Sequence, residues 1–216
     1  MDGVGRVRLT RPARRNALSR SLAATMRDEL ALLAADRSVR ALVIAGDDSA
    51  FCAGVDLRED DDGRDDQSVA TVLEELLEKV WTFPVPTVAV VRGPCIGVGC
   101  ALATACDVRV AHPDASFSVP GVRFGISYPS TSLARLVCLV GPGRANLMLL
   151  SGRTVDGAEA AAWGLVDVCS ENVDQDARSF ARTVIEVDPQ VMRATRDGIR
   201  RFGASPGVVG DEVAGG

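Results

Sequence analysis

The amino-acid sequence predicts an α/β fold in which short buried strands alternate with amphipathic helices. Three apolar runs, at residues 41–46, 87–91 and 108–111, have the length and the β-branched content of buried strands. Between them, apolar residues recur three or four positions apart, which is the period of a helix that packs on one face. Strands and helices that alternate along 216 residues build a layered α/β domain.

The first part of the chain predicts two strands and two helices. Val7 and Leu9 alternate with arginine residues, which indicates a short strand that ends before Pro12. Ser19 has the side chain of a helix N-cap, and the helix after it has apolar residues at positions 22, 26, 30 and 33. The run at 41–46 is the next strand. Apolar residues at positions 69, 73, 76 and 80 indicate the second helix, which prolines at 84 and 86 end.

The rest of the chain starts with the strand at 87–91 and continues through a glycine-rich segment that becomes helical. Short strands follow at 108–111 and 116–119. From residue 130 the pattern is mainly helical, with breaks at Pro142, Gly152 and Gly164. We therefore predict one domain over residues 1–202, with a core to about residue 140 and a helical part over 141–202. The small and polar residues at 203–216 predict a flexible tail.

Composition excludes several classes of protein and of site. The formal net charge is −5 and no basic stripe stands out, which argues against a nucleic-acid partner. No window approaches 18 uninterrupted apolar residues, and the N-terminus has no apolar segment of a secretory signal. We therefore expect a cytoplasmic protein with no membrane span. The single histidine and the absence of C-x-x-C pairs argue against a metal site, and we expect the six cysteines to be reduced and buried.

Two glycine-containing segments each follow a predicted strand. They read SAFCAGVDLRE at 49–59 and GPCIGVGCALATACDVRVA at 93–111. A backbone that turns tightly after a strand, next to the N-terminus of a helix, can direct unpaired N–H groups into a cleft. Two such groups that converge on one thioester oxygen form an oxyanion hole for an enolate. The same spacing also fits two ordinary tight turns.

Four separated motifs resemble the enoyl-CoA hydratase/isomerase, or crotonase, family. They are R-P-x-x-R-N-A-L at 11–18, FCAGVDL at 51–57, the glycine-rich segment at 93–111, and G-R at 152–153 with Ala158 and G-L-V at 164–166. The match runs from about residue 4 to residue 201. The resemblance implies a crotonase-like spiral of β-β-α units with a helical C-terminal part. It also implies an acyl-CoA thioester as ligand, no cofactor beyond the coenzyme A of the substrate, and a homotrimer or a dimer of trimers.

The resemblance implies roles for individual residues as well. The backbone N–H groups of Val55 and Val98 match the two donors of the family's oxyanion hole. The positions that match the family's coenzyme A contacts are Arg15, Ala17, Ala53, Asp56, Leu57 and Arg58. The charge of the two arginines suits the phosphates of coenzyme A. A solvated surface position is the other interpretation of both arginines.

The family's two catalytic glutamates match Ala101 and Gly121, neither of which can transfer a proton. Tyr128, the only tyrosine, matches a tyrosine that takes part in catalysis in the methylmalonyl-CoA decarboxylase branch of the family. We therefore predict decarboxylation of a malonyl-type thioester, with Tyr128 as the catalytic residue. Two alternatives stay open. One is an atypical hydratase or isomerase that uses a loop carboxylate, from the run at 59–62 or from Glu74 or Glu75. The other is a catalytically silent subunit that binds acyl-CoA or supports a partner.

Overall fold

A computed structural model describes residues 3–56 and 68–203. The described residues form eight strands, which are β1 (Val4–Arg8), β2 (Ala41–Ala45), β3 (Thr87–Val91), β4 (Pro94–Ile96), β5 (Val108–Ala111), β6 (Ser116–Ser118), β7 (Val155–Asp156) and β8 (Val168–Cys169). They also form seven α-helices, which are α1 (Arg20–Ala35), α2 (Val69–Trp81), α3 (Val98–Ala105), α4 (Ser130–Ser151), α5 (Gly157–Trp163), α6 (Val173–Ile185) and α7 (Pro189–Gly203). Two short 3-10 helices are Pro12–Arg14 and Gly121–Phe124.

The chain follows a spiral that visits two sheets in turn. The larger sheet has five parallel strands in the order β1-β2-β3-β5-β8, and the smaller sheet has the order β4-β6-β7. Isolated parallel bridges join Leu18 to Val55 and Cys52 to Cys95, and they continue the smaller sheet through the earlier part of the chain. Each early turn therefore adds one strand to the larger sheet, one short segment to the smaller sheet, and then a helix. This confirms the expected spiral of β-β-α units.

Strand β3 shows why the centre of the larger sheet is apolar throughout. Val88 and Val90 point to one face, where they pack with Val173 of α6. Ala89 and Val91 point to the opposite face, into the main core that α1, α2 and α3 cover. Because side chains alternate along a strand, a strand that is covered on both faces needs apolar residues at every position.

Helix boundaries follow the predicted signals. Ser19 caps α1, because its hydroxyl oxygen accepts a hydrogen bond from a backbone N–H of the first turn at 3.2 Å. The break expected at Pro142 occurs one residue earlier, where Gly141 has φ 76° and interrupts α4. Gly152 and Gly164 end α4 and α5 in the left-handed conformation that favours glycine.

The chain beyond residue 130 is mainly helical as predicted, and β7 and β8 add two-residue strands to the smaller and the larger sheet. Two other expectations need correction. Strand β4 occupies part of the segment that we expected to be loop and helix. No disulfide joins any of the six cysteines, all of which are described, but burial is wrong for two of them, since Cys138 is exposed and Cys169 is half-buried. The predicted tail lies outside the described residues from residue 204 onward.

Within the described ranges, one helix is long and apolar enough to span a membrane by length and composition alone. This helix is α4. It is interrupted at Gly141 and contacts α3 and α5, as a helix of a globular domain does. A single match of this kind is weak evidence for a span, and we interpret α4 as a helix of the domain.

Candidate active site

The smaller sheet places the two predicted oxyanion donors next to each other. Cys52 pairs with Cys95 in parallel register. The Cys52 N–H donates to a carbonyl oxygen of β4 at 3.0 Å, and an N–H of β4 donates to the Cys52 carbonyl oxygen at 2.8 Å. Val55 lies three residues after Cys52, and Val98 lies three residues after Cys95. The two valines therefore follow two paired residues at the same distance along the chain, Val55 on the first loop and Val98 at the start of α3.

Neither valine N–H donates a hydrogen bond within residues 3–56 and 68–203. Around Val55, the Leu18 N–H donates to the Gly54 carbonyl oxygen at 2.8 Å, and the Asp56 N–H donates to the Leu18 carbonyl oxygen at 2.9 Å. The Val55 N–H consequently points away from Leu18. Val98 is the first residue of α3, and the first N–H groups of a helix have no acceptor inside it. Two free donors, one at a helix N-terminus, suit an oxygen that gains negative charge.

Two glycines allow these backbones to approach closely. A Cβ atom at Gly99 would lie 2.4 Å from the Cys52 carbonyl oxygen, so no other residue fits there without a shift of the backbone. Gly54 has φ +106°, and a Cβ atom there would lie 3.4 Å from the Ile96 carbonyl oxygen. The absence of a side chain at Gly99 thus keeps α3 and the first loop in contact, whereas the positive φ of Gly54 is what favours glycine there.

The predicted coenzyme A contacts that are described lie around one turn. Arg15 has a left-handed backbone with φ 47°, and its carbonyl oxygen accepts a hydrogen bond from the Ala53 N–H at 3.0 Å. The side chain of Arg15 is exposed, and Ala17 is buried two residues further on. The structure therefore brings these three positions together. Leu57 and Arg58 lie outside the described residues.

Two residues that the sequence analysis did not assign hold this turn. Arg11 donates from Nη1 to Oδ2 of Asp56 at 2.7 Å, and the Asp56 carboxylate is almost fully buried. Asn16 is fully buried with φ 58°. Its side-chain amide donates to the Ala50 carbonyl oxygen at 2.7 Å, and its Oδ1 accepts a hydrogen bond from the Arg11 N–H at 2.7 Å. The only signal for either role in the sequence is the R-P-x-x-R-N motif itself.

The two positions that match the family's glutamates have no acid–base group and little space for one. Ala101 lies on α3 and is fully buried in the main core. At Gly121 a Cβ atom would lie 2.8 Å from the Ile126 carbonyl oxygen. The Ile126 N–H also donates to the Gly121 carbonyl oxygen at 2.9 Å, which closes this segment on itself.

The Tyr128 hydroxyl is buried and makes no hydrogen bond of ordinary geometry in the described part of the chain, although the Thr104 hydroxyl lies close enough to act on its pKa. Its surroundings include the Cys95 and Cys100 thiols and the Thr104 hydroxyl, with Arg135 within electrostatic range. Burial is the main cause that raises the pKa of the phenol well above its usual value. The two thiols raise this pKa further, whereas the Arg135 guanidinium and a side-chain hydrogen bond with Thr104 lower it. The phenol is therefore a neutral hydrogen-bond donor at pH 7.

A cleft of about 750 Å³ lies between α1, α2 and the start of α4. Pro129, which follows Tyr128, lines it. Glu74 and Glu75 also line it, so these two candidate carboxylates lie on a helix and not on a loop. Glu75 accepts a hydrogen bond from an arginine of α1 at 2.7 Å. The candidates at 59–62 lie outside the described residues, and among the described side chains no group of three is arranged to hold a metal ion.

The sequence pattern of the enoyl-CoA hydratase/isomerase family matches residues 1–204. The chain belongs to this family. One relative, a probable enoyl-CoA hydratase of Mycobacterium bovis, is 34% identical over 203 residues, which are 94% of this chain and 81% of the relative. A 2,3-dehydroadipyl-CoA hydratase of Escherichia coli is 33% identical over 199 residues, which are 89% of this chain and 76% of the relative.

Solved structures of family members agree with the fold. An enoyl-CoA hydratase/carnithine racemase from Magnetospirillum magneticum superposes with a TM-score of 0.87 at 30% identity, and the match covers 98% of this chain and 81% of that one. A monofunctional enoyl-CoA isomerase from M. smegmatis superposes with a TM-score of 0.83 at 26% identity, covering 96% and 92%. The crotonase-like fold expected from the sequence is thereby confirmed. The roles of individual residues stay predictions.

Proposed function

We propose that this enoyl-CoA hydratase/isomerase family protein binds an acyl-CoA thioester. The thioester oxygen would accept hydrogen bonds from the Val55 and Val98 N–H groups, and Arg15 would contact a coenzyme A phosphate. The observation that carries the proposal is that the N–H groups of Val55 and Val98, each three residues after one of the paired residues Cys52 and Cys95, donate no hydrogen bond among the described residues. Such donors stabilise an enolate more than the neutral thioester, because negative charge develops on the oxygen. The proposal requires no cofactor beyond the coenzyme A of the substrate.

Calorimetric titration with acetyl-CoA and malonyl-CoA tests this site, with free coenzyme A as the reference ligand. Arg15→Gln should weaken binding of all three ligands about 10-fold or more, because a charged hydrogen bond to a phosphate is lost. Arg182→Gln removes an exposed arginine of α6 and is the matched control. Lack of saturable heat at millimolar thioester would contradict the proposal.

For the reaction, we propose decarboxylation of a malonyl-type thioester. The bond between the α-carbon and the carboxylate breaks, CO₂ leaves, and the electron pair passes to the thioester oxygen to form an enolate, which solvent then protonates at carbon. No general base is needed, which fits a site with Ala101 and Gly121 at the glutamate positions. The neutral Tyr128 hydroxyl would donate a hydrogen bond to the carboxylate and orient it before it leaves.

Release of CO₂ from malonyl-CoA and methylmalonyl-CoA tests the reaction. Tyr128→Phe retains the ring, and because the hydroxyl makes no hydrogen bond of ordinary geometry with the described residues, the variant should lose little stability. The variant should release CO₂ about 10–150-fold more slowly, which is the effect of one lost hydrogen bond to a charged group. If wild type releases none, decarboxylation of these substrates is wrong. Equal rates of CO₂ release by wild type and the variant would contradict the role of Tyr128 but would still support decarboxylation.

The names of the relatives support a second candidate, an atypical hydratase or isomerase. Its acid–base group would come from the cleft, where Glu74 and Glu75 lie. Hydration of crotonyl-CoA at about 10 per second or faster, the ordinary range for enzymes, would favour this reaction over decarboxylation. Failure of the pure protein to turn over any acyl-CoA that it binds would favour the third candidate, a silent acyl-CoA-binding or partner subunit. We also propose that the protein assembles as a homotrimer or a dimer of trimers. Its location would be cytoplasmic, and it would have neither a nucleic-acid nor a membrane partner.

A further inference from the structure

A second cavity, of about 460 Å³, lies at the end of the larger sheet where the strands begin. Its lining includes Arg40 and Pro86, which immediately precede β2 and β3. The predicted oxyanion donors Val55 and Val98 follow the other ends of these strands, and five strand residues span about 16 Å. The volume is within the range of small-molecule sites in proteins. The cavity is therefore separate from the proposed thioester site and large enough for a small ligand.

The charged side chains of this cavity are mostly arginines. The lining carries four positive charges and one negative charge, which belong to Arg37, Arg40, Arg193, Arg196 and Asp36. The 750 Å³ cleft, by contrast, is lined by three glutamates, one arginine and one lysine. The whole chain has a net charge of −5, so the excess of positive charge in the second cavity is local. Such an excess attracts anions.

Three of these arginines retain donors for a ligand. Arg37 and Arg193 are exposed, and neither side chain has a hydrogen-bond or ion-pair partner in the described part of the chain. Arg40 is half-buried and donates from Nη2 to the Val187 carbonyl oxygen at 2.7 Å. Because a guanidinium group has five N–H donors, this one hydrogen bond leaves most of the Arg40 donors unused.

Arg196 adds a buried positive charge to the wall of the cavity. Its side chain is only 9% exposed, and its Nε donates to Asp107 at 2.7 Å. Asp107 also accepts a hydrogen bond from Arg200 at 2.8 Å, so one carboxylate balances two guanidinium groups. Asp197 lies within electrostatic range of Arg196 but does not line the cavity. Because solvent screens buried charges poorly, Arg196 attracts an anion in the cavity without contacting it.

The acidic residues nearby do not neutralise the arginines of the lining. Asp36 is exposed and forms no ion pair with any of the four arginines, and its Oδ1 accepts a hydrogen bond from the Ser38 N–H at 2.8 Å. Asp188 does not line the cavity. Its Oδ1 accepts hydrogen bonds from the backbone N–H groups of Gln190 and Val191 at the start of α7. Both carboxylates are thus engaged with backbone donors.

The rest of the lining is apolar and includes Val85, Val184 and Met192. Val85 packs against the main core, and Met192 packs against the cluster that contains Val184. An apolar floor next to a cationic rim suits a ligand that has both an apolar body and an anionic group. Inorganic phosphate or acetate would leave this floor in contact with water.

We infer that this cavity binds an organic anion in which a carboxylate or phosphate head group is attached to an apolar chain. The head group accepts hydrogen bonds from Arg37, Arg40 and Arg193, because oxygens of either head group match the guanidinium N–H groups. The chain lies on the apolar floor. The site is independent of the proposed acyl-CoA site and involves no chemical step.

Four ligands test the inference by calorimetry at fixed ionic strength and pH 7.5. They are octanoate, octyl phosphate, octan-1-ol and acetate. Octanoate, octyl phosphate or both should bind with one-to-one stoichiometry and at least about tenfold more tightly than octan-1-ol, because the alcohol forms no charged hydrogen bond. The same ligand should bind at least about tenfold more tightly than acetate, which lacks the chain. Whichever of octanoate and octyl phosphate binds more tightly identifies the preferred head group.

A double variant tests the arginines. Arg37→Gln, Arg193→Gln should weaken binding of the preferred ligand about tenfold or more. Neither side chain has a partner among the described residues, so the thermal stability of the ligand-free protein should not fall. Arg6→Gln, Arg182→Gln is the matched control, because it makes the same change of net charge at two exposed arginines that do not line the cavity.

Equal affinity for the charged and neutral eight-carbon ligands would overturn the inference, and so would equal affinity for the preferred ligand and acetate. Equal losses of affinity in the two double variants would also overturn it. Acetyl-CoA titrated into protein saturated with the preferred ligand should bind as it does to the ligand-free protein, whereas displacement of that ligand would place it in the thioester site. If the ligand binds and acetyl-CoA does not, the proposed function fails and this site stands.

Discussion

Gly99 is the residue on which the spacing of the proposed oxyanion hole depends most directly. Its missing side chain allows the Cys52 carbonyl oxygen to approach to 2.4 Å from where a Cβ atom would lie. In Gly99→Ala, α3 must move away from the first loop, and with it the Val98 N–H. We expect a loss of about 1–3 kcal/mol in the free energy of unfolding, as for other overpacked sites. The rate of turnover should fall about 10–100-fold, because the Val55 and Val98 N–H groups no longer converge. If the protein is catalytically silent, its affinity for the thioester should fall by the same factor.

The control for this substitution is Gly143→Ala. A Cβ atom at Gly143 meets nothing within 4 Å outside its own helix, and alanine favours a helix over glycine by up to about 1 kcal/mol. In denaturant unfolding, Gly99→Ala should therefore lower the free energy of unfolding, whereas Gly143→Ala should leave it unchanged or raise it. Similar stability and similar thioester affinity in Gly99→Ala and wild type would show that the close approach has no bearing on the site.

Restoring the two glutamates should not create an ordinary hydratase. In the double variant Ala101→Glu, Gly121→Glu, the side chain at 121 begins 2.8 Å from the Ile126 carbonyl oxygen, and the side chain at 101 begins in the buried core. A buried carboxylate without a partner is unfavourable and is held protonated. We expect crotonyl-CoA hydration to stay at least about 100-fold below 10 per second. Loss of the enoyl absorbance measures the rate of hydration, and a rate of about 10 per second or more would refute the expectation.

At the scale of secondary structure, buried ion pairs help to hold α7 to the domain. Asp107 accepts hydrogen bonds from Arg196 Nε at 2.7 Å and from Arg200 Nη2 at 2.8 Å. Both arginines are largely buried and also donate to backbone carbonyl oxygens at the end of α2 and just beyond it. In Asp107→Asn two buried guanidinium groups lose their counter-ion. We therefore expect the free energy of unfolding to fall by about 3–5 kcal/mol.

An exposed ion pair supplies the comparison for Asp107. Asp174 pairs with Arg92 at 2.9 Å, and its side chain is 55% exposed. Asp174→Asn should change the free energy of unfolding by less than about 1 kcal/mol, because solvent screens such pairs. Guanidinium titrations of both variants measure the difference. Equal losses would mean that burial of the Asp107 pairs contributes nothing.

The elements that the sequence predicts are those with a local signal. The cap at Ser19 and the helix ends at Gly152 and Gly164 are predictable from single residues, and the buried strands from continuous apolar runs. Strands β4, β7 and β8 have two or three residues, which is too short for any periodicity, and only their partners in the sheet define them. The pairing of Cys52 with Cys95, which brings the two predicted donors together, is a long-range contact of the same kind.

Side-chain direction is the part of the site that the sequence does not contain. The motif places Tyr128 near the site, but the burial of its hydroxyl depends on how α3 and α4 pack. Arg135, between Ala134 and Leu136, has the appearance of a surface residue, and only the structure shows that its guanidinium is buried against Trp81. The choice of Val55 and Val98 as main-chain donors follows from family motifs, whereas the direction of these side chains depends on tertiary packing.

At the scale of the whole molecule, the structure exposes an apolar face where the second 3-10 helix packs on the end of α4. Val122 and Phe124 are 53% and 65% exposed, and Leu147 and Leu150 are 45% and 70% exposed. Arg123, between the first two, donates to a carbonyl oxygen in the last turn of α4, so the two segments form one surface. Exposed apolar patches of this kind mark interaction sites. Given the trimer that the family resemblance implies, we expect a second copy of the chain to cover this face.

Light scattering tests this assembly at micromolar concentration. Wild type should have about three or six times the 22.7 kDa mass of one subunit. The double variant Phe124→Ser, Leu150→Ser should dissociate, because two large side chains worth about 1.5–3 kcal/mol each leave every interface. Val191→Ser, Ile199→Ser is the control, since it removes equally exposed apolar side chains from α7. A wild-type monomer would contradict the expected oligomer. If only the α7 variant dissociated, the result would support the expected oligomer but would show that the interface lies on α7.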